Sequence, residues 1–325
     1  MKKITIAVGC FIQWYEVDMI EEYFSSLVDA MNYSDDDNII VDIGVYSGQQ
    51  LEQFGGTKKE YDELLKSIED KINSYFKNNV NVTYYDEIYT IADYRRDFND
   101  KYCEEADVLV WGESDMLVPK QMFEVIESLH SNVKENTPKY IMTFGINKMW
   151  DDSWKPLEHP EFTDKPHTEG DTENWWSVRY TMTKDEMDSF NNKISELDIT
   201  NVSPHKFNGC GLVISSEVIK SGVNIPKSVF FVHEDTAFML MTNKVLGEIP
   251  QYHVKNILLV HNRAHPKKRN YVEGESGKSL KEQRNSTEWY TIAHKMSEQN
   301  CYNVFNLAYT PFNWKNVWKT LESRS

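Results

Sequence analysis

Four times in its first half the chain sets a strand-like run before a stretch of helical periodicity, and this alternation constrains the fold more than any other feature. "ITIAVGCF" (Ile4–Phe11) is followed by Val17, Ile20, Phe24, Leu27 and Met31 at helical spacing. "NIIVDIGVYS" (Asn38–Ser47) precedes a long amphipathic stretch marked by Tyr61, Leu64, Leu65, Ile68, Ile72 and Phe76. "VNVTYYDEI" (Val80–Ile88) alternates like a third strand and leads into a helical segment from Tyr94 to Glu105. Val108–Trp111 form a fourth run, after which Pro119 suits the first turn of a helix carrying Met122, Phe123, Ile126 and Leu129 inward. Strands alternating with helices predict an α/β layer fold around a mostly parallel sheet, whose strands read as continuous apolar runs because both faces are covered.

"KYIMTFGINKMW" (Lys139–Trp150) predicts a further strand. From Asp151 to Lys206 the chain turns rich in Asp, Glu, Pro and Trp, which predicts an excursion that returns to the sheet through "FNGCGLVIS" (Phe207–Ser215). A short helix, the segment "HEDTAFMLMTNKVLG" and a last strand "NILLVH" (Asn256–His261) complete the expected core. Neither GxGxxG nor GxxxxGK[ST] is present, so a nucleotide would have to be held without those loops.

The candidate chemistry lies where runs end. "VLVWGESDMLVP" places Glu113, Ser114 and Asp115 directly after a buried-type strand, the position where open α/β sheets bind ligands. Glu234-Asp235 open a helix after "VFFVH", and His261 closes an apolar run before the basic segment "NRAHPKKR". Each has an ordinary structural explanation: an acidic turn, acids favoured at a helix N-terminus, and a core-edge histidine.

Taken together, the order of these three elements resembles the GT-A nucleotide-sugar glycosyltransferases, most nearly family-2-like members, over roughly Ile4 to Arg269. The strand-ending acids stand where that family carries DxD, here in the variant form ExD. "NGCGLVISSEVI" is similar to its Gly-rich acceptor-side strand, and "HEDTAFMLMTNKVLG" to its ED helix. The resemblance implies one GT-A-type domain over residues 1–270, with an acceptor-side insert at about 151–206 and a C-terminal extension over 271–325 packed on it. It implies Mn²⁺ or Mg²⁺ held by Asp115, His261 and Glu113, with His265 as the alternative histidine. Hard cations of this kind take carboxylate oxygens and offset the charge that grows on a departing diphosphate. Asp235 would be the base of an inverting transfer, with Glu234 holding the acceptor or neighbouring backbone.

For a nucleotide-sugar donor, UDP-linked, the resemblance points to Gly9 and Phe11 in a loop after the first strand, and to Ser47, Ser114 and a basic position at Arg95 or Arg96. Lys267 and Arg269 would face the departing diphosphate. Trp175, Trp176, Asn208 and Gly209 would line the acceptor side. The acceptor is a hydroxyl compound left open between a glycan and a modified DNA base, as in viral enzymes that glycosylate hydroxymethylated bases. A noncatalytic sugar- or nucleotide-binding module of the same fold is the further alternative. The net charge of −16 disfavours a surface devoted to nucleic acid. Four widely spaced cysteines with no CxxC pair fit a reducing compartment, and no apolar stretch is long enough for a membrane span, so a soluble cytoplasmic protein is expected.

Overall fold

The computed structural model describes residues 4–13, 20–34, 38–47, 58–77, 79–87, 89–145, 183–203, 207–261 and 288–305. Strands β1 (Ile6–Gln13), β2 (Ile39–Tyr46), β3 (Asn81–Tyr85) and β4 (Val108–Glu113) alternate with helices α1 (Ile20–Ser34), α2 (Lys58–Phe76) and α3 (Ile91–Tyr102). A two-residue β5 (Met116–Leu117), α4 (Met122–Val133) and β6 (Ile141–Phe144) follow. Next come α5 (Lys184–Asn191), β7 (Ile199–Asn201), β8 (Leu212–Ser215), α6 (Ser216–Lys220) and α7 (Glu234–Leu246). Strands β9 (Gln251–Val254) and β10 (Val260–His261) and helix α8 (Glu288–Phe305) complete the described elements.

Eight strands form one sheet in the order β3-β2-β1-β4-β8-β6-β9-β7. The pairs β1–β2, β1–β4, β2–β3 and β6–β9 are parallel, whereas β8 runs antiparallel to both β4 and β6, and β7 antiparallel to β9. The α/β layer fold expected from the sequence is therefore present, with β8 as the reversed strand inside it. Helices cover both faces, which is why the central strands are apolar throughout. Ile6, Val8, Cys10 and Ile12 of β1 join a core with α1, α2 and α4, while Ala7 and Phe11 pack with α3, α6 and α7 on the other face. Among the described residues no helix is long and apolar enough to cross a membrane.

Chain order reverses beside β1: β2 and β3 extend the sheet on one side, and β4 returns to the other. Such a switch point leaves a crevice beyond the carboxyl ends of the two central strands, and ligands of α/β sheets bind there. In-register pairing places Phe11 of β1 opposite Glu113 of β4 at this edge.

Three expectations are corrected. "NILLVH" is not a strand of the sheet: Ile257, Leu258 and Leu259 are buried, but only Val260 and His261 pair, antiparallel to Leu117 and Met116 in a separate two-stranded ladder. The sheet position belongs to β9, whose "QYHV" was not anticipated. The stretch from 151 to 206 is not wholly an excursion, because α5 and β7 lie in it and β7 forms the sheet's edge. Gly9 is not in a loop after the first strand; it lies mid-β1, where a Cβ would collide with the Phe98 ring.

The core sets a stability expectation. Phe24 of α1 is fully buried, edge-on to Phe76 of α2 at 5.1 Å between ring centroids. Phe24→Ala should cost about 3–5 kcal/mol by chemical denaturation, whereas Val245→Ala, at a position 49% exposed, should stay within about 0.5 kcal/mol of wild type.

Candidate functional site

The site is assembled where β4 ends, from five segments of the chain. Arg95 reaches it from α3, and its side chain is buried. One guanidinium nitrogen, Nη2, donates to Glu113 Oε1 at 2.7 Å and to the Gly209 carbonyl at 3.3 Å. The other, Nη1, donates to Glu234 Oε1 at 2.6 Å. The guanidinium also lies 4.8 Å from the centroid of the Trp111 ring, a cation–π contact. Trp111 is itself fixed, with Nε1 donating to Asn99 Oδ1 at 2.9 Å and the ring packed on Phe238. A planar fork suits this task because it can serve two carboxylates at once in fixed geometry.

Glu113 uses its second oxygen elsewhere. Oε2 lies 3.1 Å from His261 Nε2, and Asp115 Oδ1 lies 3.3 Å from the same nitrogen. Asp115 and Ser114 are buried in the turn between β4 and β5, and the β5–β10 ladder brings His261 opposite Met116. Cys210 adds a sulfur: Glu113, Cys210 and His261 each present one donor atom, and these atoms lie within 4.8 Å of one another.

The ED pair is divided by its surroundings. Asp235 Oδ2 accepts from Gly209 N at 3.1 Å, and its Oδ1 accepts from Thr236 N at 2.6 Å. Its side chain keeps some solvent exposure, whereas Glu234 is buried against Arg95. Glu234 therefore faces the guanidinium. His233, immediately before, has φ 66°, a left-handed conformation uncommon for a residue with a Cβ. Helix α8 braces this approach, with Ser297 Oγ donating to Val232 O at 2.6 Å and Asn300 Nδ2 to Ser228 O at 2.8 Å.

Electrostatics follow from burial and proximity. Burial favours the neutral form of Glu113, but the His261 and Arg95 cations prevail and hold its carboxyl at about 2. Burial disfavours charged His261 as well, yet Cys210, Asp115 and Glu113 around it push it well above the usual imidazole value. Glu234 is pushed up to about 7 by burial and then by Asp235, against the pull of Arg95. Burial pushes the Cys210 thiol up to about 11, with His261 acting in the opposite direction.

The residues fit a divalent cation. Two carboxylates turn oxygens toward one imidazole nitrogen, so negative charge converges on a point where a metal can replace the proton. Carboxylates of this kind with an imidazole suit Mn²⁺, and the oxygens alone suit Mg²⁺.

Of the other expected residues, Gly209 and Asn208 lie at the site. A Cβ on Gly209 would strike the Arg95 guanidinium, and Asn208 Oδ1 accepts from Cys210 N at 3.0 Å. Gly209 thus makes room for Arg95. Phe11 and Ser47 stand at the same sheet edge, but Phe11 is buried among Tyr46, Tyr85, Tyr89 and Tyr94. Arg96 is directed away, its guanidinium donating to the carbonyls of Ile225, Pro226 and Val229. Lys267, Arg269, His265, Trp175 and Trp176 lie outside the described residues. Sequence reading missed Cys210 as a potential donor and Arg95 as the link between the two acidic motifs. The flanking glycines of "GCG" were the available signal for the former.

The chain matches no family model and no curated protein. Among solved structures it is similar to glucosyl-3-phosphoglycerate synthase from Mycobacterium tuberculosis, determined in complex with Mn²⁺, uridine diphosphate and phosphoglyceric acid. The identity is 11% and the TM-score 0.43, over 92% of this chain and 78% of that one.

Two measurements follow from the ion-pair geometry. Arg95→Met should destabilise the fold by about 3–5 kcal/mol, because it strands the buried Glu234 and the partly buried Glu113. The Glu113 carboxyl is held below its ordinary 4.5, so its stabilisation is complete above that value and is lost as pH falls toward 2. Glu113→Gln should therefore be less stable than wild type by about 2 kcal/mol at pH 7, with the gap closing between pH 4.5 and 2 in pH-dependent denaturation.

Proposed function

We propose that this chain is a metal-dependent glycosyltransferase of GT-A type that moves a sugar from a nucleoside-diphosphate-sugar donor to a hydroxyl acceptor with inversion. The observation that carries this reading is the convergence of Glu113, Asp115 and His261 at the carboxyl end of β4, beside the switch point of the sheet. The opening of α7 adds a second, more accessible carboxylate, Asp235, on the far side of Gly209.

The residues divide the work by burial. Asp115 and His261 would hold the cation, with Glu113 shared between that centre and Arg95. When bound, Mn²⁺ or Mg²⁺ supplies charge neutralisation for the departing diphosphate. Asp235 is oriented by the Gly209 and Thr236 amides. It takes the proton from the acceptor hydroxyl as that oxygen bonds to the anomeric carbon and the bond to the diphosphate breaks. Glu234 fixes the start of α7 through Arg95 and so sets where Asp235 stands. Ser47 and the aromatic group around Phe11 lie at the ends of β1 and β2, where the donor's nucleoside would be placed.

The test separates binding from transfer. Thermal unfolding of the chain with a panel of nucleoside diphosphates and nucleotide sugars should show a melting-temperature rise for one base that requires Mn²⁺. Asp115→Asn should abolish that metal-dependent rise. Asp235→Asn should keep the rise and lose donor turnover by at least about 100-fold. Unaltered metal and donor binding in Asp115→Asn would overturn the metal assignment. Metal-dependent binding with no turnover of any donor by wild type would leave a binding module instead.

A further inference from the structure

We propose that Cys210 is a ligand of this cation site, so that the centre binds thiophilic divalent ions such as Zn²⁺ and Co²⁺ far more tightly than Mg²⁺. The inference deepens the metal site of the preceding section and rests on that reading, but it concerns the sulfur, which the transfer reaction does not require.

The argument starts from placement. Cys210 is fully buried, and a small buried cysteine is ordinarily just a core residue. This one is different in its neighbours. Its sulfur shares a cluster with a Glu113 oxygen and a His261 nitrogen, all three atoms within 4.8 Å of one another. Asp115 Oδ1 stands 3.3 Å from His261 Nε2 and so borders this three-member cluster. Three donors of the type sulfur, nitrogen and oxygen match the three-ligand protein sets of zinc sites that keep a fourth position for water or substrate.

The backbone holds the sulfur in place. Asn208 Oδ1 accepts from Cys210 N at 3.0 Å, and Gly211 N donates to Trp111 O at 2.9 Å. Gly211 has φ 67° and sits against Leu259, where a Cβ would collide with the leucine. The turn is therefore anchored on β4 at one end and on Arg95 through the Gly209 carbonyl at the other. Both flanking glycines are required by this geometry, which fixes Cys210 between them.

The chemistry discriminates among ions. Thiolate is a soft donor that Mg²⁺ scarcely accepts, while Zn²⁺ and Co²⁺ bind it well. On coordination the thiol proton passes to solvent and the sulfur–metal bond takes its place, so ion uptake releases a proton. No change of oxidation state is involved.

The experiment is a Co²⁺ titration of the metal-stripped full chain, read by absorbance. Wild type should develop a near-ultraviolet thiolate-to-Co²⁺ charge-transfer band together with visible d–d bands, and Zn²⁺ should displace both. Cys210→Ser should lose the charge-transfer band, keep d–d absorption, and bind Co²⁺ at least about tenfold more weakly, while Mn²⁺ affinity changes by less than about threefold. A charge-transfer band that persists in Cys210→Ser, or Co²⁺ binding by wild type without one, overturns the sulfur assignment while leaving the oxygen–nitrogen site standing. Failure of wild type to bind either Co²⁺ or Mn²⁺ overturns both.

Discussion

The buried guanidinium of Arg95 is the interaction on which the candidate site depends. It joins the carboxyl end of β4, the turn before β8 and the first residue of α7 through Glu113, the Gly209 carbonyl and Glu234. Three charged groups out of water are costly unless their geometry is close to ideal, and here the contacts are short and the fork is supported by the Trp111 face. That requirement propagates outward. Residue 209 must lack a Cβ because the guanidinium occupies the space. Residue 113 gains from being Glu rather than Asp, since its longer arm lets one oxygen reach Arg95 while the other reaches His261. The longer arm at position 113 thus has a local use.

The same constraint explains why the two acids of the ED pair behave differently. Helix α7 begins after a left-handed His233, a backbone turn that directs Glu234 inward and leaves Asp235 on the backbone amides of Gly209 and Thr236. A left-handed residue with a Cβ persists only where the surroundings hold it. Val232 and Ser228 are held from outside by Ser297 and Asn300 of α8. A helix from the end of the chain therefore braces the turn that sets both carboxylates.

Much of this was legible in the sequence, and what was not has identifiable reasons. Three apolar runs marked β1, β2 and β4 because a sheet covered on both faces needs no alternation, whereas the edge strand β3, exposed or half-buried, was marked by its alternation. The strand-ending acids were visible because an abrupt change from buried-type residues to Glu113 and Asp115 marks a sheet edge. "NILLVH" misled because an apolar run reports burial and not pairing: Ile257 to Leu259 are core without being sheet. The true strand β9 carries Gln251, Tyr252 and His253, so its buried polar residues hid it. Arg95 and Arg96 are adjacent in sequence but about 100° apart around a helix. One therefore enters the site, and the other caps the carbonyls of Ile225, Pro226 and Val229. No local pattern tells which, because most of the partners, Gly209 and Glu234 for one and Ile225, Pro226 and Val229 for the other, lie more than a hundred residues away.

Cys210 presents the same problem in sharper form. Cysteine spacing along the chain is a useful signal only when the ligands of one ion come from one short segment, as in a CxxC pair. Here the donors come from the end of β4, the turn before β8 and a two-residue ladder at β10. Tertiary structure alone brings them together, and the turn holding the sulfur is the one that Arg95 anchors. The charge network and the donor cluster share Glu113, so whatever cation binds must accept a carboxylate already half committed to a guanidinium. Such a carboxylate has one oxygen to give, which favours an ion content with few protein ligands of mixed type over one demanding a shell of oxygens.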